Sequence, residues 1–248
     1  MIKKIFYSFF FILFNCLLVG NSNIRDYSQI INLTEEKYRS INDYEVDLEI
    51  SVKIPAFRMP KKKYKVFFKQ PNKVKLKTKG FGLLPKTGIF TSPLENFDNL
   101  KNMKIMAQNP NARKDNIIIH GDLIVDSLAL DMPNEYAKLT FKPTVEVSID
   151  TNNWVITNVT TKIDTLKLIE INNKYELIKN TYFMPIESKV EYYVKDARLT
   201  KWINRDLNVV MGSEKNFEFN NDIVRGFIQV QYFNYRINKG IDDKIFKE

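Results

Sequence analysis

The chain has 248 residues, 44% hydrophobic and 27% charged, with a formal net charge of +9. That composition excludes a disordered tract and supplies enough apolar side chain for one core of barrel or sandwich size. A single cysteine and a single histidine exclude an intramolecular disulfide, a cysteine-based zinc site and a multi-histidine metal centre.

At the N-terminus, Lys3 and Lys4 lead an apolar run from Ile5 to Val19, broken only by Ser8 and Asn15. The run is short for a spanning helix, which needs about 20 residues. Gly20 and Ser22 fit the small positions before a cleavage site. This is the layout of a signal peptide over 1–22, with the mature chain starting at Asn23. Loss of Lys3 and Lys4 lowers the charge from +9 to +7, still favouring anionic surfaces or polyanions without naming either. Periplasmic or otherwise exported protein is therefore expected. Cys16 raises two lesser alternatives, a lipid anchor and an uncleaved segment. Phe14 and Asn15 suit a lipobox poorly, because the residue before its cysteine is small.

Ile24 to Asn42 reads as an amphipathic helix, with Ile24, Tyr27, Ile30, Ile31, Tyr38 and Ile41 on one stripe. From Tyr44 the period changes to two. Val46, Leu48, Ile50, Val52 and Ile54 alternate with Glu45, Asp47, Glu49, Ser51 and Lys53. Tyr64, Val66 and Phe68 then alternate with Lys63, Lys65, Phe67 and Lys69. Val74, Leu76 and Thr78 alternate with Lys73, Lys75, Lys77 and Lys79. These are three strands with one apolar and one wet face, and Gln70-Pro71-Asn72 makes the second turn. Pairing of the first two sets acids against lysines. Lys73, Lys75, Lys77 and Lys79 then form a strip with two uses, a solvated edge that resists aggregation or a contact for an anionic partner.

The segment from Gly80 to Pro93 is a loop that carries Phe81, Leu83, Leu84, Ile89 and Phe90, and so must bury itself or cover something. Ser92-Pro93-Leu94-Glu95 is a capping box with proline at the first helical position. Leu94, Phe97, Leu100, Met103 and Met106 follow at three-residue steps and predict a helix that fades at Pro110. Ile117 to Ile119 fits a buried strand, and Asp122 to Leu130 fits a short helix. From Lys138 the alternation returns through Val145, Val147 and Ile149. Turns are expected at Asp150–Asn153 and at Asn172-Asn173, with a break at Pro185. Strands are expected at 154–161, 163–171, 174–184, 187–194 and 226–237, the spacing of an antiparallel meander. Residues 195–222 have no clean period. No linker divides 23–248, which reads as one domain.

Several of these segments, in this order, resemble the bacterial LolA-like family of lipoprotein carriers, receptors and related lipid-binding proteins. Tyr38-Arg39-Ser40-Ile41-Asn42-Asp43-Tyr44 leads from helix into strand. Phe67-Phe68-Lys69-Gln70-Pro71-Asn72-Lys73-Val74 is similar to the family's hairpin, and Met184-Pro185 precedes a late strand. Asn234-Tyr235-Arg236-Ile237-Asn238-Lys239-Gly240-Ile241-Asp242-Asp243-Lys244-Ile245-Phe246 is similar to its closing segment. The likeness spans the exported chain. It implies a mainly β fold with a few helices: one curved antiparallel sheet, an incomplete β-barrel, covered by the N-terminal helix, a second short helix and an apolar loop. It also implies an apolar cavity for acyl chains, and no catalysis. The chain is longer and more basic than a typical carrier.

The residues reach a compatible expectation on their own, since a long sheet with one apolar face needs cover. Whether a cavity or a filled core lies under that cover is left open. The candidate cavity wall is Val46, Leu48, Ile50, Tyr64, Val66, Phe68, Val74, Leu76, Val145, Val147, Val190 and Tyr192. The candidate lid is Ile31, Tyr38, Phe81, Leu83, Leu84, Phe97 and Met103. The expected function is a carrier of lipoprotein or lipid acyl chains toward the outer membrane. It would work as a monomer, with membrane-bound donor and acceptor proteins as further partners. The alternative is an envelope interaction or sensor protein with a filled cavity, using the lysine strip or residues 195–222. His120-Gly121-Asp122 lacks a nucleophile motif to serve, and Gly80-Phe81-Gly82 lacks the rest of a phosphate loop. No cofactor or metal is expected. Lysines beside Tyr64, Phe67 and Phe68 do not make a nucleic-acid site in an exported chain, because most of these aromatics point away from the lysine row.

Overall fold

A computed structural model describes residues 26–54, 57–78, 92–106, 115–124, 142–194 and 224–247. The leader with Cys16, Lys79, the loop carrying Phe81, Leu83 and Leu84, and residues 195–222 lie outside the described residues. Helix α1, Tyr27–Arg39, starts at Asp26, whose side chain accepts from Ser28 N at 3.2 Å, an ordinary N-cap. Ten strands follow: β1 Asp43–Ile54, β2 Phe57–Lys69, β3 Lys73–Thr78, β4 Leu100–Ile105, β5 Asn116–Leu123, β6 Pro143–Asp150, β7 Val155–Ile163, β8 Leu166–Ile178, β9 Tyr182–Val194 and β10 Val224–Ile237. They form one antiparallel sheet in the order β3-β2-β1-β10-β9-β8-β7-β6-β5-β4. The first strand thus lies beside the last, and the sheet is open, with β3 and β4 at its edges.

Alternation sets the two faces. Across eight strands one row of aliphatic side chains runs Val52, Ile228, Val190, Ile171, Val159, Val147, Ile119, Ile105, each directly paired with the next. This inner face is the core. Ile30 and Ile31 of α1 pack with Ile119, Val145, Val147, Ile149 and Ile156. Tyr38, one residue short of the helix end, meets Phe68 of β2 with ring centroids 5.9 Å apart. A 13-residue helix is about 20 Å long, whereas β2 and β6 are six strand spacings apart in the sheet order, about 29 Å if flat. One helix reaches both because the sheet curls around it.

The outer face carries the charges. Lys65 Nζ lies 2.7 Å from Glu45 and 3.5 Å from Asp47, and Lys61 Nζ lies 2.7 Å from Glu49. The opposed acidic and lysine rows of β1 and β2 therefore do meet, as exposed pairs that solvent and salt screen. The strip on β3 is not left unpartnered. Lys73 pairs with Asp243 at 3.0 Å, and Lys77 lies over the Phe67 ring at 5.2 Å.

The short helix expected from Asp122 does not begin there, since Asp122 and Leu123 belong to β5, and three more expected elements differ. The helix from Leu94 to Met106 is instead a single 3₁₀ turn, Pro93–Asn96, followed by edge strand β4. Asn102, at φ 53, is the extra residue of a bulge, since Lys101 faces Asp122 while Lys104 faces His120. A bulge puts residues three apart on one face, so the three-residue step from Leu100 to Met103 belongs to a strand. Both pack over Gly121, where an added Cβ would meet Leu100 Cβ at 3.1 Å and Met103 Cγ at 3.2 Å. Second, Asn172-Asn173 is not a turn. β8 runs through it because both amides find partners across the sheet: Asn158 Nδ2 donates to Asn172 Oδ1 at 2.8 Å, and Ser188 Oγ donates to Asn173 Oδ1 at 2.6 Å. The turn comes at Lys179 and Asn180, with φ 52 and 53. Third, Pro185 does not break β9. It faces Tyr175 where the register slips by one residue, and a bulge tolerates its missing N–H.

The closing segment ties the sheet's middle together. Asn238 Oδ1 accepts from Asn42 N at 2.8 Å, and the buried Asp43 carboxylate accepts from Lys239 N at 3.0 Å and Gly240 N at 3.1 Å. Gly240 sits at φ +78, a conformation that favours glycine. Asp242 then caps the turn Asp243–Phe246, and Asp243 accepts from Lys69 and Lys73 at 3.0 Å each. Those two lysines hold the Asp243 carboxyl below its usual range.

A candidate ligand cavity under the helix

Between α1, the Pro93–Asn96 turn and the inner face lies a cavity with about 140 Å³ open to the centre of a water molecule. Thr34, Lys37, Tyr38 and Ile41 form its roof, spaced at helical steps along the last turns of α1 and just beyond. Its walls come from six strands: Tyr44 of β1, Phe68 of β2, Val155, Ile156 and Val159 of β7, Ile171 and Tyr175 of β8, Phe183, Met184 and Val190 of β9, and Ile228 and Val230 of β10. Trp154 closes one side. Tyr175 and Phe183 stack at 5.7 Å, and Tyr44 stacks on Phe68 at 4.8 Å. The space is comparable with an apolar cavity that holds one benzene ring and below the 300–1,000 Å³ of drug-sized sites.

The polar groups in the walls are largely satisfied within the protein. Tyr232 Oη donates to Ser188 Oγ at 3.3 Å, and Ser188 donates onward to Asn173. Asn173 Nδ2 and Tyr175 Oη both donate to the Ile156 carbonyl at 3.1 Å, and Tyr235 Oη donates to the Pro185 carbonyl at 2.7 Å. Burial pushes the phenols of Tyr44, Tyr175, Tyr232 and Tyr235 above the ordinary tyrosine value, so they are neutral at any physiological pH. Tyr38 differs. Its hydroxyl oxygen is closed off from solvent and has no hydrogen-bond partner among the described residues. Burial first, then the Glu35 and Glu95 carboxylates, raises its pKa.

Glu35 ties the roof down. Its carboxylate accepts from Ser92 Oγ at the start of the 3₁₀ turn and from Arg39 Nε at 2.8 Å. Because Ser92 also caps the turn by accepting from Leu94 N at 3.2 Å, one buried carboxylate joins the helix to the adjoining cover.

The sequence-derived candidates fall into three places. Phe68 and Val190 of the wall set, and Tyr38 of the lid set, line the cavity. Val46, Leu48, Ile50, Tyr64, Val66 and Tyr192 lie within the packed cluster on the β1, β2, β9 and β10 side, with Val74 and Leu76 against it. Val145 and Val147, with Ile31, Phe97 and Met103, lie in or against the second cluster. Lining residues absent from those sets include Lys37, Trp154, Ile171, Tyr175 and Phe183. The aromatic residues near the strand ends of β7 to β9 carried the available signal. His120 is in mid-strand β5, paired with Glu146 on the outer face. Its Nδ1 makes no hydrogen bond among the described residues and lies 4.0 Å from Glu146 Oε1, which is too long for one. No group of three or more potential metal ligands occurs among the described residues.

No family model and no curated protein matches the sequence. Among solved structures, a DUF1329 family protein from Desulfovibrio piger is similar, with 8% identity, 90% of this chain and 98% of that chain covered, and a TM-score of 0.49. A putative outer membrane lipoprotein-sorting protein domain from Vibrio parahaemolyticus gives 9% identity, 90% and 97% coverage and 0.46. A LolA superfamily protein from Nitrosomonas europaea gives 11%, 88% and 97%, and 0.41.

Proposed function

We propose that this chain is a non-catalytic carrier that binds acyl chains of lipids or lipoproteins and moves them through the cell envelope toward the outer membrane. The observation that carries the proposal is the cavity beneath α1, walled by aliphatic and aromatic side chains from six strands. The sequence-level resemblance to LolA-like carriers and the leader over 1–22 support the same direction. Transfer of acyl carbon into such a space is favourable by about 0.8 kcal/mol per CH₂. The roof is a single helix end and one 3₁₀ turn joined through Glu35. Among the described residues no helix is long and apolar enough to cross a membrane.

The test is native mass spectrometry of the protein expressed with its own leader, followed by lipid extraction. A co-purifying lipid or acylated peptide, on a chain starting near Asn23, is the expected result. A protein that carries nothing and takes up no acyl probe overturns the proposal.

A further inference from the structure

Among the described residues that line the cavity, Lys37 is the single charged one. It lies in the last turn of α1, beside Tyr38 and one helical turn from Thr34. Every other lining side chain is apolar, aromatic or a neutral amide or hydroxyl. No ion pair joins the Lys37 ammonium to an acidic side chain among the described residues. Of the two acids just before it on the same helix, Glu35 is already held by Ser92 and Arg39, and Glu36 is exposed.

A lysine that lines an otherwise uncharged space can bring its ammonium to the border of that low-dielectric region, where it discriminates by charge. It attracts an anion there more than it would in water, and it disfavours a cation equally. The lysine stem covers apolar surface while its head seeks a polar partner. The protein's overall positive charge acts in the same sense at longer range. A space of about one benzene ring takes a stretch of one chain, with the rest of that chain outside it, and leaves no room for a second.

From this we infer that the cavity takes a single-chain amphiphile with an anionic head, held at Lys37 while the chain lies against β7 to β10. The inference deepens the carrier proposal and rests on it. The negative head has two sources, the carboxylate of a free fatty acid or the phosphate of a lysolipid.

The experiment is displacement of the neutral fluorescent probe N-phenyl-1-naphthylamine from the mature protein. The competitors are dodecanoic acid, lauroyl lysophosphatidic acid, dodecanol and dodecyltrimethylammonium, each below its micelle concentration. The two anions are expected to compete about ten-fold better than dodecanol, the size of one charge-assisted contact, with the cation weakest. The better of the two anions names the source. Lys37→Met keeps the stem and is expected to bring the anions down to the level of dodecanol. Lys37→Arg is expected to restore the difference. Equal competition by anion and alcohol, or an anion preference that survives Lys37→Met, overturns the inference while leaving the carrier proposal intact. Failure of every chain to displace the probe overturns both.

Discussion

Replacing Val190 by phenylalanine separates a cavity from a filled core. Val190 is buried in β9, paired with Ile171 and Ile228, and all three line the space under α1. Empty volume costs about 24 cal/mol per Å³. A cavity of about 140 Å³ therefore holds about 3 kcal/mol that an ideally shaped filler would recover. A phenyl group on a β-branched position fills only part of it, and less than half of that gain, about 1 kcal/mol, is expected after rotamer adjustment. In a domain of this size 1 kcal/mol is a rise in Tm of about 2–4 °C. Thermal unfolding followed by circular dichroism reads the stability, and displacement of the neutral probe reads the site. The expected pair is a Tm unchanged or raised, with acyl-chain binding lost. If Val190 instead faced a close-packed core, the larger ring would cost about 1–3 kcal/mol. A Tm lower by several degrees with chain binding unaltered refutes the reasoning.

Asp43→Ala removes the acceptor for Lys239 N and Gly240 N. Two hydrogen bonds to a charged group at about 1.5 kcal/mol each put the loss near 3 kcal/mol. Urea denaturation checks it, and a loss below about 1 kcal/mol would show that the closing segment is not clamped there. Tyr38→Phe deletes a buried hydroxyl that has no partner among the described residues and keeps the ring against Phe68, so stability is expected to rise by about 1 kcal/mol, read as a higher urea midpoint. A clear fall would mean that the hydroxyl is bonded. The raised phenols make a pH prediction. Unfolded tyrosine ionises near 10.0, and Tyr44, Tyr175, Tyr232 and Tyr235 ionise higher when folded. Their contribution is full below the unfolded value and is lost as pH rises above it, because the unfolded chain gives up those protons first. Tyrosinate absorbance from these groups is expected to appear together with loss of the circular dichroism signal. Their titration near pH 10 in a still-folded protein contradicts the burial.

What could be read in the sequence follows from how local each feature is. The rows on β1 to β3 were legible because period two is a property of a few neighbouring residues, and a one-residue slip there would send Val46, Leu48 and Ile50 to water. The three-residue step through Leu100 and Met103 misled because a bulge at Asn102 imitates a helical spacing. Only the partner strand, with Gly121 lying under both side chains, decides between them. Asn172-Asn173 reads as a turn wherever its amides lack partners, and those partners, Asn158 and Ser188, come from other strands. The cavity is less local still. Val46, Leu48 and Val190 look alike in sequence. The first two lie in the packed cluster beside the Tyr44–Phe68 stack, and the third borders the space under the end of α1. A void is a property of how the helix spans the curled sheet. It opens beneath Lys37 because the helix must reach two distant parts of one bent sheet and cannot follow the surface between them.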